Sequence, residues 1–401
     1  MTPPTTADAV LGAYELPDEL RLLRETVADF MAREVATAEH GEDPDAFRLP
    51  PAKLAPLQAK AREAGLWCLA SPEEHGGGGL SLLAQALVAE EAAQCRMGAY
   101  IPACGAFGFD PPNVVFEAGT PEQVERYALP TIATGERAFV AISEPAGGSD
   151  PARSIETTAR RDGDRYLLNG TKFWITGGLE ARWGIVFART GSEKGRDAIS
   201  AFLVERDFPG FSATEIDVIR SWSPAELVFQ DCEVPAENLL GAEGRGFAVC
   251  QSWLTHERVP YSAATLGVAV AALRLAVEYA KERRAFGSTL AQKQAIQWML
   301  ADSDIELRAA RLMVWQAAWL ADLGRPFKTE ASAAKVFASE AAWRVIDRCV
   351  QILGGMGVAK EYPFERWFRE LRIRRIGEGP SEVHRLVVAR SLLGDAMRQA
   401  K

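Results

Sequence analysis

Apolar positions in the first 130 residues recur at helical spacing. Leu20, Leu23, Val27, Phe30 and Met31 share one helical face, and Leu54, Leu57, Ala61 and Ala64 repeat the pattern up to a stop at Gly65. The stretch Ser71-Pro72-Glu73-Glu74-His75, followed by Gly76 to Gly79, predicts a loop before a further helix from about Leu82 to Gln94. From about 131 to 243 the period shortens. Ala138 to Ser143 is a short apolar run, Ile155, Thr157 and Ala159 alternate, and Asp162-Gly163-Asp164 and Asn169-Gly170 read as turns on either side of Tyr166 to Leu168. Phe173 to Thr176, Gly184 to Ala188, Ile199 to Val204 and Leu227 to Phe229 complete a set of short strands that predicts an antiparallel sheet or barrel. Long helical patterns return after Gly244. They cover about Trp253 to Arg283, Gln292 to Leu323, Thr329 (as N-cap) to Gly354-Gly355, and a segment from near Ser381. The expected architecture is multidomain: an N-terminal all-α domain at 1–130, a middle antiparallel β-barrel-like domain at 131–243 and a C-terminal four-helix bundle at 244–401.

Composition narrows the field without naming a function. The 401 residues are 48% hydrophobic and 25% charged, the mix of a soluble globular chain with several domains. Lys and Arg number 45 against 54 Asp and Glu, so the net charge of -9 argues against a nucleic-acid partner. Cys68, Cys95, Cys104, Cys232, Cys250 and Cys349 are widely spaced and read as buried reduced thiols. Four histidines without HExxH or paired spacing predict no metal. Met1 to Leu11 shows no basic leader, and the most apolar stretch, Leu266 to Leu275, is short for a bilayer, so no membrane association and a cytoplasmic location are expected.

Four segments carry candidate chemistry. Val140 to Asp150 is a strand running into a Gly- and Ser-rich turn that offers N–H groups and hydroxyls to a polar or anionic ligand, although taken alone it reads first as a plain tight β-turn. In Leu168 to Gly178, Trp174 beside Thr176 could cover a planar cofactor, while taken alone Trp174 reads as a core side chain. Arg283 and Arg284 suit a helix C-terminus or a pyrophosphate clamp. In Ile376 to Glu382, Glu378 stands between glycines, where apolar surroundings would raise its pKa toward that of a useful general base. No GxGxxG after a strand, GxxxxGK[ST] or GxSxG occurs, and the Gly76 to Gly79 run reads as a loop.

Taken in order, these segments resemble the acyl-CoA dehydrogenase family of flavoproteins. Pro72-Glu73-Glu74-His75-Gly76-Gly77 is similar to its PEEYGG loop, Val234 to Phe247 to its VPxxNLLG and EGxGF border, and Gln351 to Gly357 to its QxxGGxG motif. The resemblance implies FAD held non-covalently and α,β-desaturation of an acyl-CoA thioester, in which a base takes the α-proton and the β-hydrogen leaves as hydride. Glu378 falls on the family's catalytic carboxylate, with its backbone N–H helping to hold the thioester oxygen. Val140, Ile142, Ser143, Gly148 and Ser149 would line the flavin, with Trp174, Ile175 and Thr176 at the ring and Pro380, Ser381 and Glu382 beside it. Arg283, Phe286, Gln294 and Gln351, Ile352, Leu353, Gly354, Gly355 would reach the FAD of a neighbouring subunit. Ser149, Thr255, His256, Glu257, Arg258 and Gly379 would face the acyl-CoA. An electron-transfer flavoprotein and a homodimer or homotetramer are the implied partners.

The sequence departs from the family pattern in instructive places. Ser143 replaces a common Thr, Gly177 a frequent Asn, and Pro380 the Thr after Glu-Gly, which removes a donor there. Glu257 occupies the position of the catalytic Glu in some long-chain and branched-chain members, so the chain carries two candidate bases, of which Glu378 is preferred. The alternatives are a flavin oxidase, N-hydroxylase or desulfinase on the same fold, or a non-catalytic or DNA-interacting relative.

Overall fold

The structure is a computed structural model that describes residues 16–191 and 195–397. The absent leader read at Met1 to Leu11 lies outside the described residues. The N-terminal part packs α1 (Asp18–Phe30), α2 (Pro51–Glu63) and α3 (Leu82–Ala92). Gly65 adopts φ +72 just past α2, the left-handed stop that the sequence anticipates. Ser81 caps α3 by accepting from the Ala84 N–H. Almost all of α3 is buried because it lies between the N-terminal core and the bundle.

Eight strands follow: β1 (Phe139–Ala141), β2 (Thr158–Asp162), β3 (Arg165–Ile175), β4 (Trp183–Arg189), β5 (Ile199–Glu205), β6 (Phe211–Glu215), β7 (Ala225–Pro235) and β8 (Leu239–Leu240). They form one sheet in the order β6-β7-β3-β2-β4-β5-β8. Most pairs are antiparallel, but β1 runs parallel to Gly184–Val186 of β4, and Thr158 of β2 meets Arg189 further along β4. β1 and β2 therefore occupy successive stretches of β4, and the chain between them is thrown out as a loop. That loop carries Ser143 to Ser149. Its base is pinned by a buried ion pair, Lys172 Nζ to Glu144 Oε1 at 2.7 Å. Glu144 also accepts from the N–H groups of Glu156 and Thr157.

Asn169-Gly170 is not the turn that its composition suggests. It is a bulge inside the eleven-residue β3, where Gly170 takes φ +147 and the register with β7 slips. The Asn169 amide exchanges hydrogen bonds with Asp231 across the break. A bulge and a tight turn ask for the same residues, so composition alone does not separate them.

The C-terminal part contains α4 (Gly246–Glu282), α5 (Gln294–Asp322), α6 (Lys328–Leu353), α7 (Phe364–Ile373) and α8 (Ser381–Leu393). The apolar stretch at Leu266 to Leu275 belongs to the 37-residue α4, which is long and apolar enough to cross a membrane by length and composition. Its small side chains are instead buried in the bundle core against α3, α5 and α6. Thr329 is not the cap of α6. Phe327 precedes the first turn, and no side chain caps it. All six cysteines are free and buried. Burial pushes the Cys68, Cys232, Cys250 and Cys349 thiols up to about 12. Glu39, Cys95 and Cys104 bring possible ligand atoms within 4.8 Å of one another, a grouping that the sequence spacing conceals.

Candidate active site

α7 ends at Ile373, and the loop that follows carries Glu378. Glu378 and Gly379 both have left-handed backbones, φ +54 and +93. That conformation costs a non-glycine residue on the order of 1 kcal/mol, so the surroundings must impose it. Three side chains do so. His384 Nε2 donates to the Glu378 carbonyl at 3.0 Å, Arg258 Nε approaches the same oxygen at 3.4 Å, and Lys335 Nζ donates to the Gly379 carbonyl at 2.7 Å. Pro380 starts α8, its carbonyl accepting from the His384 N–H, which sets His384 one turn in and aimed back at the loop. Gly377 is required sterically, because a Cβ there would stand 2.7 Å from Tyr261 Oη. The Glu378 N–H donates to no protein acceptor among the described residues.

The charges around this loop are mostly cationic. Burial raises the Glu378 carboxyl above its ordinary range, while Arg258, Lys335, Arg374 and Arg137 oppose the rise. Lys335 is fully buried and drawn down to about 7 by burial, against the pull of Glu378. His384 is pushed down to about 3 by burial and by Arg258 and Lys335, so its ring is neutral and can donate from Nε2. Arg374 stacks 3.9 Å from the Tyr261 ring centroid and 4.9 Å from that of Tyr100. Glu257, one residue before Arg258 on α4, is pushed up to about 7. Burial is the main cause, the Glu378 charge adds to it, and Arg137 opposes.

Two cavities flank these groups. One of about 300 Å³ is walled by α3, the 102–112 segment, the start of β1 and α4, with Val88, Phe107, Val140 and Glu257 among its lining. The other, about 420 Å³, lies between Ser149 to Arg153, Arg196 and α8. Ser381 Oγ, fully buried on α8, makes no hydrogen bond of good geometry among the described residues and stands beside the Glu340 carboxylate. Gly148 packs on Ser143, since a Cβ would meet Ser143 Oγ at 2.9 Å. A loop of hydroxyls and N–H groups, a buried hydroxyl and an aromatic face together suit an extended polar cofactor with a planar ring.

Trp174 supplies that face. It is 55% exposed at φ +67, edge-on to Phe173, so the core reading of this residue is corrected. Thr176 Oγ1 accepts from Arg220 Nη2 at 3.0 Å. Ile175 points into the sheet core and can offer only backbone. Ile352 and Leu353 are likewise bundle-core side chains, whereas Gln351, Gly354 and Gly355 are exposed. Ile142 is half-buried, and Glu382 is exposed on the first turn of α8. Thr255 and His256 bond back to their own helix through the Gln251 and Ser252 carbonyls, which turns their polar atoms from the cavity. Arg283, Phe286 and Gln294 are exposed, Phe286 at 99%, and Phe286-Gly287 forms a hairpin tip with both φ positive. They lie at the far end of α4, roughly 39 Å along the axis from Glu257 at 1.5 Å per residue. Within one chain this group does not meet the Glu378 loop.

Sequence reasoning missed Lys335, His384, Arg374 and Arg137. Lys335 has a signal, a lone charge on the Ala331 to Ala338 face of α6. His384 is one of only four histidines. Arg137 follows Glu136 in a polar turn and carries none.

The chain matches the family descriptions acyl-CoA dehydrogenase N-terminal domain over residues 17–136, middle domain over 139–232 and C-terminal domain over 244–393. It is 40% identical to the short-chain specific acyl-CoA dehydrogenase of Rattus norvegicus mitochondria, over 96% of this chain and 92% of the relative. Among solved structures, the butyryl-CoA dehydrogenase of Megasphaera elsdenii aligns with TM-score 0.83 and 34% identity, covering 95% of this chain and 99% of that one. A chain from the study of the electron transferring flavoprotein of Acidaminococcus fermentans aligns with TM-score 0.85 and 36% identity, covering 95% and 100%. The chain belongs to the acyl-CoA dehydrogenase family. It is a flavoenzyme that catalyses α,β-dehydrogenation of an acyl-CoA thioester. The expected cytoplasmic location does not stand: the rat, mouse, cattle, human and pig relatives are named as mitochondrial enzymes. Neither charge nor a plain N-terminal sequence carries compartment information strong enough to set against that.

Proposed function

We propose that this enzyme desaturates a short acyl-CoA with FAD, using Glu378 as the base. The carrying observation is the loop at Glu378: both carbonyls are tied off by Arg258, His384 and Lys335, and the Glu378 N–H is left without a protein partner. An N–H held free beside a carboxyl can hold the thioester oxygen as negative charge develops on it. Glu378 then removes the α-proton, and the released electron pair forms the Cα=Cβ bond as hydride leaves the β-carbon. Bound FAD supplies the acceptor for that hydride. The cavity of about 300 Å³ is the acyl pocket in this reading, and the short-chain relatives at 40% identity agree with its modest size.

Ser143, Ser149, Thr176 and Ser381 would hold FAD through hydroxyls, with Trp174 against its ring and the backbone from Val140 to Gly148 beside it. The exposed set Arg283, Phe286, Gln294, Gln351, Gly354 and Gly355 would serve a neighbouring subunit. A homodimer or homotetramer also accounts for Trp298, Ile305, Leu312 and Trp319, which stand exposed at seven-residue intervals along α5. Electrons would leave to an electron-transfer flavoprotein, in keeping with the Acidaminococcus likeness. The three units at 1–130, 131–243 and 244–401 would enclose the two ligands between them. Anaerobic titration of the yellow protein with butyryl-CoA tests the reading. Bleaching of the flavin absorbance is expected, and its absence with every saturated thioester tried overturns the reading.

A further inference from the structure

Arg137 is a half-buried charge that the desaturation step does not itself use. It stands two residues before β1 and lines the cavity of about 300 Å³ together with Asp110 and Glu257. Its guanidinium lies 4.4 Å from the Phe109 ring centroid and 4.8 Å from that of Trp222. Its one hydrogen bond is long, Nη2 to the Tyr100 carbonyl at 3.4 Å, and the shielded Nε has no partner. No carboxylate comes within 4.0 Å of it among the described residues. Asp110 is committed elsewhere, its Oδ1 accepting from the Ala70 and Ser71 N–H groups and from Ser71 Oγ at 2.6 Å.

The fold makes room for this arginine. Gly177 takes φ +79, and a Cβ there would press on Arg137 Cδ at 3.2 Å. The glycine that departs from the family's frequent Asn therefore goes together with the guanidinium beneath it. Glu257 and Glu180 act on this charge only from beyond 4.0 Å, and a charge largely removed from water with no carboxylate in contact is unfavourable unless something that enters the cavity pairs with it. Aromatic faces and one long carbonyl contact compensate it only in part. A carboxylate is the group whose geometry a guanidinium fork matches best.

We propose that the acyl group taken into this cavity ends in a carboxylate, remote from the thioester, which pairs with Arg137. The inference rests on the reading of this cavity as the acyl pocket. It makes Arg137 a specificity-determining residue and the substrate class the mono-CoA thioester of a short dicarboxylic acid. A neutral chain of equal length would leave Arg137 unpaired and bind less well in the transition state.

Steady-state turnover of glutaryl-CoA, its monomethyl ester and pentanoyl-CoA by the flavin-loaded enzyme tests this. The free carboxylate is expected to lead both neutral chains by roughly tenfold to a hundredfold in kcat/KM. In Arg137→Met that ratio should collapse toward one, and Arg137→Lys should restore part of it. Equal or better turnover of pentanoyl-CoA by the wild type overturns the inference without any variant, as does a ratio that Arg137→Met leaves unchanged. If butyryl-CoA bleaches the flavin and glutaryl-CoA does not, the carboxylate falls while the Glu378 reading stands. If no thioester bleaches it, both fall.

Discussion

The two carboxylates of the site have the same chemistry on different supports. Glu257 sits inside α4, its backbone satisfied by the helix. Glu378 sits on a left-handed loop whose carbonyls are held by side chains from α4, α6 and α8. Burial raises both carboxyls, but the opposition differs. Arg258, Lys335, Arg374 and Arg137 counter the rise at Glu378, whereas Arg137 alone does so at Glu257, which also feels Glu378 and Asp110. More cations face Glu378 than Glu257, which favours negative charge at Glu378. In the proposed assignment it is where the cations stand, not the depth of burial, that distinguishes Glu378 from Glu257.

The largest expected effect breaks the comparison outright. Glu378→Gln should lower kcat by roughly 10²–10⁴-fold, the usual worth of a positioned base, measured by anaerobic flavin reduction. Full turnover in that variant, with loss in Glu257→Gln, would move the base to α4. A smaller effect sharpens the loop side. Lys335→Met deprives the Gly379 carbonyl of its ammonium partner, a loss of about 1–3 kcal/mol that corresponds to roughly fivefold to a hundredfold in kcat. Lys335 acts through the loop, so the affinity for a non-reactive acyl-CoA analogue should change far less than kcat. A parallel loss of both would mean that the lysine merely keeps the protein folded.

Much of this arrangement is legible in the sequence, but unevenly. The helix stop at Gly65, the turn at Gly163 and the long α5 and α6 follow from local periodicity and glycine placement. Glu378 is legible because a carboxylate flanked by glycines is a local pattern. Trp174 is misread because its neighbours alternate as a strand does, while its positive φ turns it outward at the end of β3. Asn169-Gly170 is misread because a bulge uses turn residues. Lys335 and His384 carry only faint signals and Arg137 none, for one shared reason: each acts across 44 residues, across an intervening proline cap or across a domain contact, and no periodicity encodes that approach.

Glu257→Gln tests the other carboxylate. With Glu378 as the proposed base, the effect of this substitution on kcat should stay below about tenfold. Below about 7 Glu257 is already neutral, and Gln mimics that form, so the acid limb of the kcat/KM profile set by Glu378 should hardly move. An acid limb that moves to lower pH would mean that Glu257 carries charge where Glu378 ionises.

The smallest effect is on stability, and its sign follows from proton counting. Glu257 is held at about 7 in the folded protein against an ordinary value of 4.5. Between these values the folded state binds more protons than the unfolded one, so this group's contribution to stability is complete below pH 4.5 and is lost as pH rises through 7. The loss is at most about 3 kcal/mol for a shift of this size, and less where Glu378 shares the proton. His384, drawn down to about 3, runs the other way and costs stability as pH falls below its ordinary 6.5. Wild type alone therefore mixes two slopes. The difference between wild type and Glu257→Gln in urea midpoint, followed across this range with the flavin bound, removes the histidine slope and leaves that of Glu257. The variant should gain stability relative to wild type as pH rises toward 7, and a difference independent of pH would mean that the second carboxylate is not held protonated beside the base.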